Sequence, residues 1–361
     1  MALDKAGPLR VAIVGCGNIS RGYAATMRPH ADKLKLVGAY DVEPARAEAL
    51  VEEFGGRAYP SLKAVLDDPG IECVVNLTIH QAHVEVVTAA LEAGKHVHTE
   101  KPIALDPADA LRMVELAKRK NVRLSSAPIT FMGEAQQTAA KIIRDGRLGT
   151  VRVLYAEMNW ARIEAWHPNP GPFYEVGVVY DVGVYPLTVM TAILGPVARV
   201  SAFGKVVYPD RVTKDGKPFH ITTPDWMCGY LEFQSGPIAR LTSSFYVGPT
   251  KQVGIEFHGD RATMHLQTAH DFHSKVEVRD FAADQWVEQP LVKEPYKGTE
   301  WARGLTELHD ALRTGRKQRA TGEQAAHVVE VIAGMHAAAR GNRPVEIASR
   351  FDLPAPMDWA R

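Results

Sequence analysis

Cysteine is scarce in this sequence, and neither sign of charge is in excess. Its 361 residues include three cysteines, Cys16, Cys73 and Cys228, which lie far apart and share no metal-ligand spacing. This usage excludes a disulfide-rich fold and favours a reducing compartment such as the cytoplasm. Lys plus Arg and Asp plus Glu both number 42, so the formal net charge is zero. The charge balance gives no support to binding of nucleic acid or of an anionic membrane.

Long apolar segments are missing as well. No apolar run reaches the ~18 residues that a membrane-spanning helix needs. The charged pair Asp4-Lys5 precedes any apolar stretch, unlike a signal peptide. Hydrophobic residues make up 46% of the chain and charged residues 23%, which is typical of globular proteins. We therefore predict a cytoplasmic protein of about two domains that does not bind a membrane.

The first part of the chain alternates short apolar runs with helical patterns, which predicts a parallel sheet flanked by helices. The predicted strands are Leu9–Val14, Lys35–Tyr40, Cys73–Leu77, His96–Thr99 and Val122–Ser125. From about residue 128 the pattern changes to alternating strands with turn signals, which predicts a largely antiparallel sheet. The predicted fold is an α/β domain over residues 1–127 followed by an α+β domain over residues 128–361.

A glycine-rich turn follows the first predicted strand directly. Its sequence is Gly15-Cys16-Gly17-Asn18-Ile19-Ser20. Gly15 permits a tight turn, Gly17 lets the backbone approach a pyrophosphate at a helix N-terminus, and Ser20 is small enough for the third glycine position of the fingerprint. Asp41 ends the second predicted strand, where a carboxylate bonds the adenosine ribose. Together they predict a Rossmann dinucleotide-binding domain; the alternative is a glycine turn in a domain that binds no nucleotide.

Asp41 also bears on the choice of dinucleotide. A carboxylate accepts hydrogen bonds from a ribose hydroxyl and repels a 2′-phosphate, so we predict NAD. Arg46 nearby leaves NADP possible. The predicted cofactor contacts in this region are Gly15, Gly17, Asn18, Ile19 and Asp41.

An acid and a phenol precede the apolar helical run at residues 187–194. If both lie in the first turns of that helix, Asp181 and Tyr185 are four residues apart and share one face. Gly183 between them would let a ring or a substrate approach closely, and Pro186 suits only a first turn or a kink. The alternative is structural, with Asp181 as a helix cap and Tyr185 as packing.

Lys101 would supply the positive charge for this pair. It lies in Glu100-Lys101-Pro102, where Pro102 favours a stiff, extended turn; the alternative is an ordinary surface loop. A lysine cation lowers the pKa of a nearby tyrosine, ~10 when unperturbed, by stabilising the phenolate. Tyr185 then removes a hydroxyl proton while hydride leaves the same carbon for nicotinamide, and Asp181 orients the hydroxyl. Lys101, Asp181 and Tyr185 are the candidate catalytic residues.

A third cluster, Thr78 to His83, follows the strand predicted to end at Leu77. The carboxyl ends of parallel strands are where ligands bind in open α/β sheets, so His80 and His83 would border the nicotinamide ribose. Two histidines three residues apart also suggest a metal, but no third ligand with suitable spacing accompanies them, and we predict no metal site. The predicted cofactor contacts at this edge are Thr78, His80, His83, Glu100 and Lys101.

Aromatic and hydrogen-bonding side chains follow the predicted strand 151–158. Trp160, Arg162 and His167 together suit a polyhydroxylated ring, and the alternative is a loop rim or a subunit contact. The predicted substrate contacts are Lys101, Trp160, Arg162, His167, Asp181 and Tyr185.

These residues resemble the Gfo/Idh/MocA oxidoreductases, the family of glucose-fructose oxidoreductase and inositol dehydrogenase, from Arg10 to about Ile347. The motifs that carry the resemblance are Gly15-x-Gly17-x-x-Ser20 with Asp41, His83 before Ala93-Gly94-Lys95-His96-Val97, Glu100-Lys101-Pro102, Asp145-Gly146-Arg147-Leu148-Gly149, and Asp181-x-Gly183-x-Tyr185.

The resemblance implies a Rossmann domain followed by an open-faced sheet domain that binds substrate and forms oligomers. A homodimer or homotetramer is therefore expected. It also implies NAD(P)-dependent oxidation or reduction of a sugar or polyol, with Lys101 as a catalytic residue, Asp181 as its partner and Tyr185 as the acid/base.

Two positions depart from the family pattern. Tyr185 stands where inositol dehydrogenases and many other members have histidine, whereas the branch resembling glucose-fructose oxidoreductase and dihydrodiol dehydrogenases has tyrosine. This favours an aldose or a related sugar over a cyclitol. Ile79 stands where a Thr-Pro pair is usual, which alters the loop at the cofactor edge without abolishing binding.

Two other functions remain open. A glycoside-cleaving enzyme would oxidise its sugar transiently and regenerate a tightly held cofactor, so net release of NADH separates it from a dehydrogenase. A non-catalytic dinucleotide-binding protein would not need Lys101, Asp181 and Tyr185 together.

Overall fold

The computed structural model describes residues 7–361 and divides into two compact units. The first unit comprises the chain up to Ile129 together with Glu300–Ala326, and the second comprises Thr130–Thr299 together with His327–Arg361. The charged pair Asp4-Lys5 considered above lies outside the described residues.

The first unit contains a six-stranded sheet in the order β3-β2-β1-β4-β5-β6, with every neighbouring pair parallel. Its strands are β1 (Leu9–Val14), β2 (Leu34–Tyr40), β3 (Arg57–Ala58), β4 (Cys73–Asn76), β5 (His96–Thr99) and β6 (Leu124–Ser126). Its helices are α1 (Asn18–Met27), α2 (Pro44–Phe54), α3 (Leu62–Asp67), α4 (His83–Glu92), α5 (Pro107–Arg119) and α9 (Arg303–Thr314), with 3-10 turns at Arg28–His30 and His80–Ala82. The predicted Rossmann sheet is confirmed.

Local signals explain where these helices begin and end. Helix α2 starts with Pro44, whose fixed φ suits a first turn, and stops at Gly55, which has a φ of +87°. Helix α3 is capped by Ser61, whose hydroxyl accepts a hydrogen bond of 3.1 Å from the N–H of Ala64. The predicted bounds of α2 and β5 agree with the structure because such signals lie next to them in the sequence.

The segment Glu300–Ala326 differs from the sequence-based division, which assigned it to the second domain. The structure groups it with the first unit, because Ala302, Leu305 and Leu308 are fully buried in the same apolar cluster as Leu9. A helical pattern shows which face of a helix is apolar and not which core receives it. Along the chain, the first unit gives way to the second after Ile129, which is two residues beyond the predicted boundary.

The second unit is built on a nine-stranded sheet in the order β16-β15-β14-β13-β7-β12-β11-β8-β17. Its strands are β7 (Val151–Asn159), β8 (Val197–Lys205), β11 (Trp226–Phe233), β12 (Ile238–Ser244), β13 (Gly254–Gly259), β14 (Ala262–Leu266), β15 (Val276–Asp280), β16 (Val287–Glu288) and β17 (Val345–Glu346), and a separate hairpin pairs β9 (Asp210–Val212) with β10 (Pro218–His220). Its helices are α6 (Glu134–Arg144), α7 (Gly171–Val176) and α8 (Val184–Leu194), a π-helix covers Val179–Gly183, and short 3-10 turns cover Thr130–Met132, Ile163–Ala165 and Asp358–Ala360. Helix α10 covers Gly322–Gly341.

Neighbouring strands of the large sheet are antiparallel except β7 and β12, which are parallel. Burial alternates along β11 and β12, so that Leu231 and Leu241 face the core while Tyr230 and Arg240 face outward. The prediction of an α/β fold with a largely antiparallel second domain is confirmed.

Every helix within residues 7–361 is too short or too polar to cross a bilayer. Nor does that part of the chain bring three or more His, Cys, Asp or Glu side chains into an arrangement that could hold a metal ion.

Candidate functional site

The predicted site residues belong to both units, and each unit is described by itself. In the first unit, the glycine turn joins β1 to α1 and lies against the end of β4. Gly15 has a φ of +93°, and a Cβ there would lie 2.7 Å from the backbone of Leu77 and Thr78, so only glycine fits. A Cβ at Gly17 would meet no atom within 4 Å. The backbone at Gly17 is therefore open to a ligand, as the fingerprint predicts.

Ser20 replaces the third glycine without disturbing this turn. The side chain is 1% exposed, and its hydroxyl donates a 2.7 Å hydrogen bond to the carbonyl oxygen of Gly17. A buried hydroxyl needs such a partner. The serine thus adds a bond within the turn.

Asp41 ties the glycine turn to the end of β2. One carboxylate oxygen accepts a 2.7 Å bond from the N–H of Cys16, and the other accepts a 2.9 Å bond from the N–H of Glu43. A hollow of about 240 Å³ lies between α1 and α2 and is lined by Cys16, Ser20 and Arg46 among others. Burial and the neighbouring carboxylate raise the pKa of the Cys16 thiol to about 12, so the thiol stays protonated. The open Gly17 and the buried, hydrogen-bonded acid fit the adenosine end of NAD.

A second edge of the same sheet is formed where β4 and β5 end. The Asn76 amide donates to the Thr99 hydroxyl at 3.0 Å, and its oxygen accepts from the Thr78 hydroxyl at 2.7 Å. His83 is 1% exposed, with Nδ1 2.7 Å from the carbonyl oxygen of Pro102 and Nε2 3.1 Å from that of Thr78. Burial lowers the pKa of His83, which favours a neutral ring that donates to one carbonyl at a time. Instead of pointing toward a ligand, the ring holds two loops together.

Lys101 follows β5 in one of these loops, and its peptide bond to Pro102 is cis. The preceding Glu100 is buried, and its carboxylate accepts a 3.1 Å bond from the N–H of Lys101 and a 2.7 Å bond from the Tyr23 hydroxyl. Glu100 thus shapes the backbone that carries Lys101.

The polar chain continues inward from Tyr23. Its hydroxyl lies 3.3 Å from Nε2 of His98, whose Nδ1 lies 3.0 Å from the Ser125 hydroxyl. Burial lowers the pKa of His98 to about 4, so this ring is neutral. Tyr23 and His98 could not be singled out from the sequence, because a helical tyrosine and a strand histidine match an ordinary buried pattern.

His80 lies closer to the surface than His83. The two rings are 5.9 Å apart, and the neighbouring Ile79 is 68% exposed. Asn18 and Ile19 open α1 directly after Gly17. Within the first unit, the predicted cofactor residues therefore divide between the glycine turn with Asp41 and the ends of β4 and β5.

In the second unit, Asp181 and Tyr185 lie on a helix whose register changes between them. Asp181 is 5% exposed in the π-helix Val179–Gly183, and Tyr185 is the second residue of α8. Pro186 has no N–H for the carbonyl of Val182, which removes one α-helical bond and favours the wider turn. Isolated π-turns are frequent at functional sites. Asp181 and Tyr185 thus lie four residues apart on one helical segment, and the turn between them is partly a π-turn instead of the α-helical turn that the spacing assumed.

Gly183 also differs from its predicted use. A Cβ at this position would lie 2.7 Å from Oγ of Ser243 on β12 and 2.9 Å from the Val179 side chain. The glycine lets the helix approach the sheet, and the space beside it is filled by protein. It leaves no room for a substrate ring.

Tyr185 and Trp160 are brought together by a residue that sequence analysis missed. The His270 ring lies edge-on to Trp160, with centroids 5.0 Å apart, and to Tyr185, with centroids 6.2 Å apart. His270 comes from the loop after β14, far from both in the sequence. No spacing rule could have linked the three residues.

Arg162 and His167 belong to two other aromatic groups of this unit. The Arg162 guanidinium lies 5.0 Å from the ring centroids of both Tyr208 and Tyr246. His167 packs 4.7 Å from Phe173 and 5.3 Å from Trp166. Of the predicted substrate residues in this unit, Trp160 and Tyr185 thus share a cluster, and Arg162 and His167 do not join it.

Two family models match the chain. Residues 9–127 match the "Oxidoreductase family, NAD-binding Rossmann fold" model, and residues 136–265 match the "GFO/IDH/MocA C-terminal domain" model. The resemblance predicted from the motifs is confirmed.

Individual relatives support the same family assignment. D-glucoside 3-dehydrogenase of Escherichia coli is 30% identical over 73% of this chain and 78% of its own length. An uncharacterized oxidoreductase, ORF334 of Rhizobium meliloti, is 29% identical over 57% of this chain and 63% of its own, so the match spans less than two thirds of that relative. The WlbA dehydrogenase of Bordetella pertussis, solved with NADH and UDP-GlcNAcA, shares the fold with a TM-score of 0.79 at 19% identity, covering 96% of this chain and 100% of that one.

The chain belongs to the Gfo/Idh/MocA oxidoreductase family, and its first unit is an NAD-binding Rossmann domain.

Proposed function

We propose that the protein is an NAD-dependent oxidoreductase that acts on a hydroxyl or keto carbon of a sugar or sugar derivative. The observation that carries this proposal is the pair Asp181 and Tyr185 on one short helical segment, in a chain that also has an NAD-binding Rossmann domain. The name of the E. coli relative, a D-glucoside dehydrogenase, supports a carbohydrate substrate.

In this proposal each catalytic residue has a distinct task. Tyr185 takes the proton of the reacting hydroxyl, Asp181 orients that hydroxyl, and Lys101 stabilises the negative charge that develops on oxygen. NAD, when bound, supplies the acceptor for the hydride. In the reducing direction, Tyr185 returns the proton to the same oxygen.

Other residues hold the cofactor. Gly15 lets the turn pack against the end of β4, and Gly17 leaves the backbone open to the pyrophosphate at the start of α1, where Asn18 and Ile19 present N–H groups. The Asp41 carboxylate retains lone pairs for a ribose hydroxyl beyond its two backbone bonds. Arg46, the nearby cation, pairs with Glu43 at 2.8 Å, which supports NAD over NADP.

The Asp41→Ala variant tests the cofactor assignment. It should bind NAD more weakly and discriminate less against NADP, by about 1–3 kcal/mol, because charge-assisted hydrogen bonds are lost. Calorimetric titration of both dinucleotides measures the two affinities. Asp41→Asn keeps the size and one acceptor oxygen, and should fall between wild type and Asp41→Ala. Tighter binding of NADP than of NAD by the wild type would show that Asp41 does not bind the ribose.

The Tyr185→Phe variant tests the acid/base. It keeps the ring and removes the transferable proton, so turnover should fall by a factor on the order of 10²–10⁴ while NAD affinity changes little.

Lys101→Met should also slow turnover. The Lys101→Met, Tyr185→Phe double variant should be little slower than the worse single variant, because the effects of residues that act on one step are not additive. Tyr180→Phe, in the π-helix, is the matched control and should turn over like wild type. Wild-type turnover by Tyr185→Phe would rule the residue out.

A substrate panel tests the reaction itself. Aldoses, polyols and glycosides are incubated with excess NAD, and absorbance of reduced cofactor is followed. A dehydrogenase accumulates NADH in proportion to oxidised sugar. Cleavage of a glycoside without net NADH would instead identify a cofactor-regenerating, glycoside-cleaving enzyme, and no reaction with any sugar would remove the proposal.

We also propose a cytoplasmic homodimer or homotetramer that uses the outer face of the large sheet. Phe203 on β8 and Tyr230 on β11 are 63% and 61% exposed on this face. Exposed aromatic side chains on a broad antiparallel sheet are typical of subunit interfaces. The free thiols of Cys16, Cys73 and Cys228 suit a reducing compartment.

Charge placed on this face should dissociate the oligomer. Tyr230→Glu and Phe203→Glu should each lower the mass measured by light scattering at micromolar concentration, because a carboxylate is costly to bury without a partner. Leu111→Glu, in which the replaced side chain is 44% exposed on α5 of the first unit, is the control and should not change the mass. A wild type that scatters as a single chain would refute the proposal.

A further inference from the structure

His270 is a half-buried histidine beside Tyr185 to which the proposed reaction gives no task. Its ring makes two edge-to-face contacts, at 79° to Trp160 and 67° to Tyr185. Aromatic rings favour such edge-to-face contacts, so these two neighbours hold the plane of the imidazole.

Thr268 holds the ring from a third direction. Its Oγ1 lies 2.6 Å from Nδ1 of His270 and accepts a 3.2 Å bond from the backbone N–H of His270. When the threonine hydroxyl donates its proton to Nδ1, the hydroxyl, Nδ1 and the backbone N–H of His270 all have hydrogen-bond partners. The ring proton is then on Nε2. No hydrogen-bond partner of Nε2 is found among residues 7–361. The ring is thus held in a fixed orientation, and its Nε2–H donor has no acceptor among those residues.

The charge state of His270 indicates what this donor binds. Burial lowers the pKa of His270 more than the nearby Asp271 carboxylate raises it, so the imidazole is neutral at neutral pH. A neutral N–H suits a hydroxyl oxygen, whereas a site for a carboxylate or phosphate gains most from a cation.

We infer that Nε2 of His270 binds a second hydroxyl of the sugar ring whose reacting hydroxyl is bound by Tyr185. This inference rests on the proposed function and makes His270 a specificity-determining residue. Trp160, whose ring also packs against the imidazole, would offer an aromatic surface to the apolar C–H groups of the same sugar. The hydroxyl pattern of the substrate is then selected by a hydrogen bond separate from the chemical step.

Monodeoxy sugars test this inference in combination with His270 variants. His270→Phe keeps a ring between Trp160 and Tyr185 but has no donor, and His270→Gln restores a donor near Nε2. The parent substrates are D-glucose, methyl β-D-glucoside and myo-inositol. For the one that is turned over, wild type should lose roughly 10-fold in kcat/KM when the bound hydroxyl is replaced by hydrogen. His270→Phe should lose a similar factor on the parent, mainly in KM, and should not distinguish the parent from that deoxy analogue. His270→Gln should regain part of the discrimination.

His273→Phe is the matched control, because His273 is an exposed histidine in the same loop, and it should behave like wild type. If His270→Phe slows the parent and every deoxy analogue by one common factor, or changes nothing, the ring only packs and the inference is wrong while the proposed function stands. If wild type reduces no NAD with any sugar, the proposed function is wrong, and the inference is wrong with it.

Discussion

The two hydrogen bonds of the buried Asp41 carboxylate are the constraint on which the cofactor end depends. They join the N–H of Cys16 in the glycine turn to the N–H of Glu43 after β2, so two turns from separate strands are held by one side chain. Buried carboxylates are stable only when they are hydrogen-bonded in this way. Gly15 can then lie against the end of β4 while Gly17 stays open. The shape that suits a dinucleotide thus follows from one acid and two glycines.

At the ends of β4 and β5, too, a few buried side chains hold the backbone in place. His83 links the carbonyls of Thr78 and Pro102, and Glu100 bonds the N–H of Lys101. In the second unit, the π-turn before Pro186 and the close approach of Gly183 to Ser243 position the helical segment that carries Tyr185. In each unit, buried polar or small residues behind the proposed catalytic side chains hold the backbone, and of those catalytic side chains Lys101 and Tyr185 are half-buried while Asp181 is buried.

Much of the Rossmann half could be predicted because its signals are local. Pro44 and Gly55 mark the ends of α2, and the glycine turn follows β1 in the sequence. The π-helix could not be predicted from spacing, because its wider turn depends on the missing N–H of Pro186 and on packing against Ser243. His270 was missed because only the folded sheet brings the loop after β14 beside Tyr185. The domain of Leu305 was assigned wrongly because periodicity does not identify the core that a helix joins.

In the proposed reaction the protein moves hydride from a sugar carbon to NAD and releases both the oxidised sugar and NADH. Its most direct test uses D-glucose or a glucoside deuterated at every ring carbon, with NAD in excess, and mass spectrometry of the cofactor and the sugar. We expect NADH carrying one deuterium to accumulate in solution together with an oxidised, carbonyl-containing sugar. Deuterium that is lost to water, or that remains wholly in the sugar while a glycosidic bond is cleaved, would contradict it.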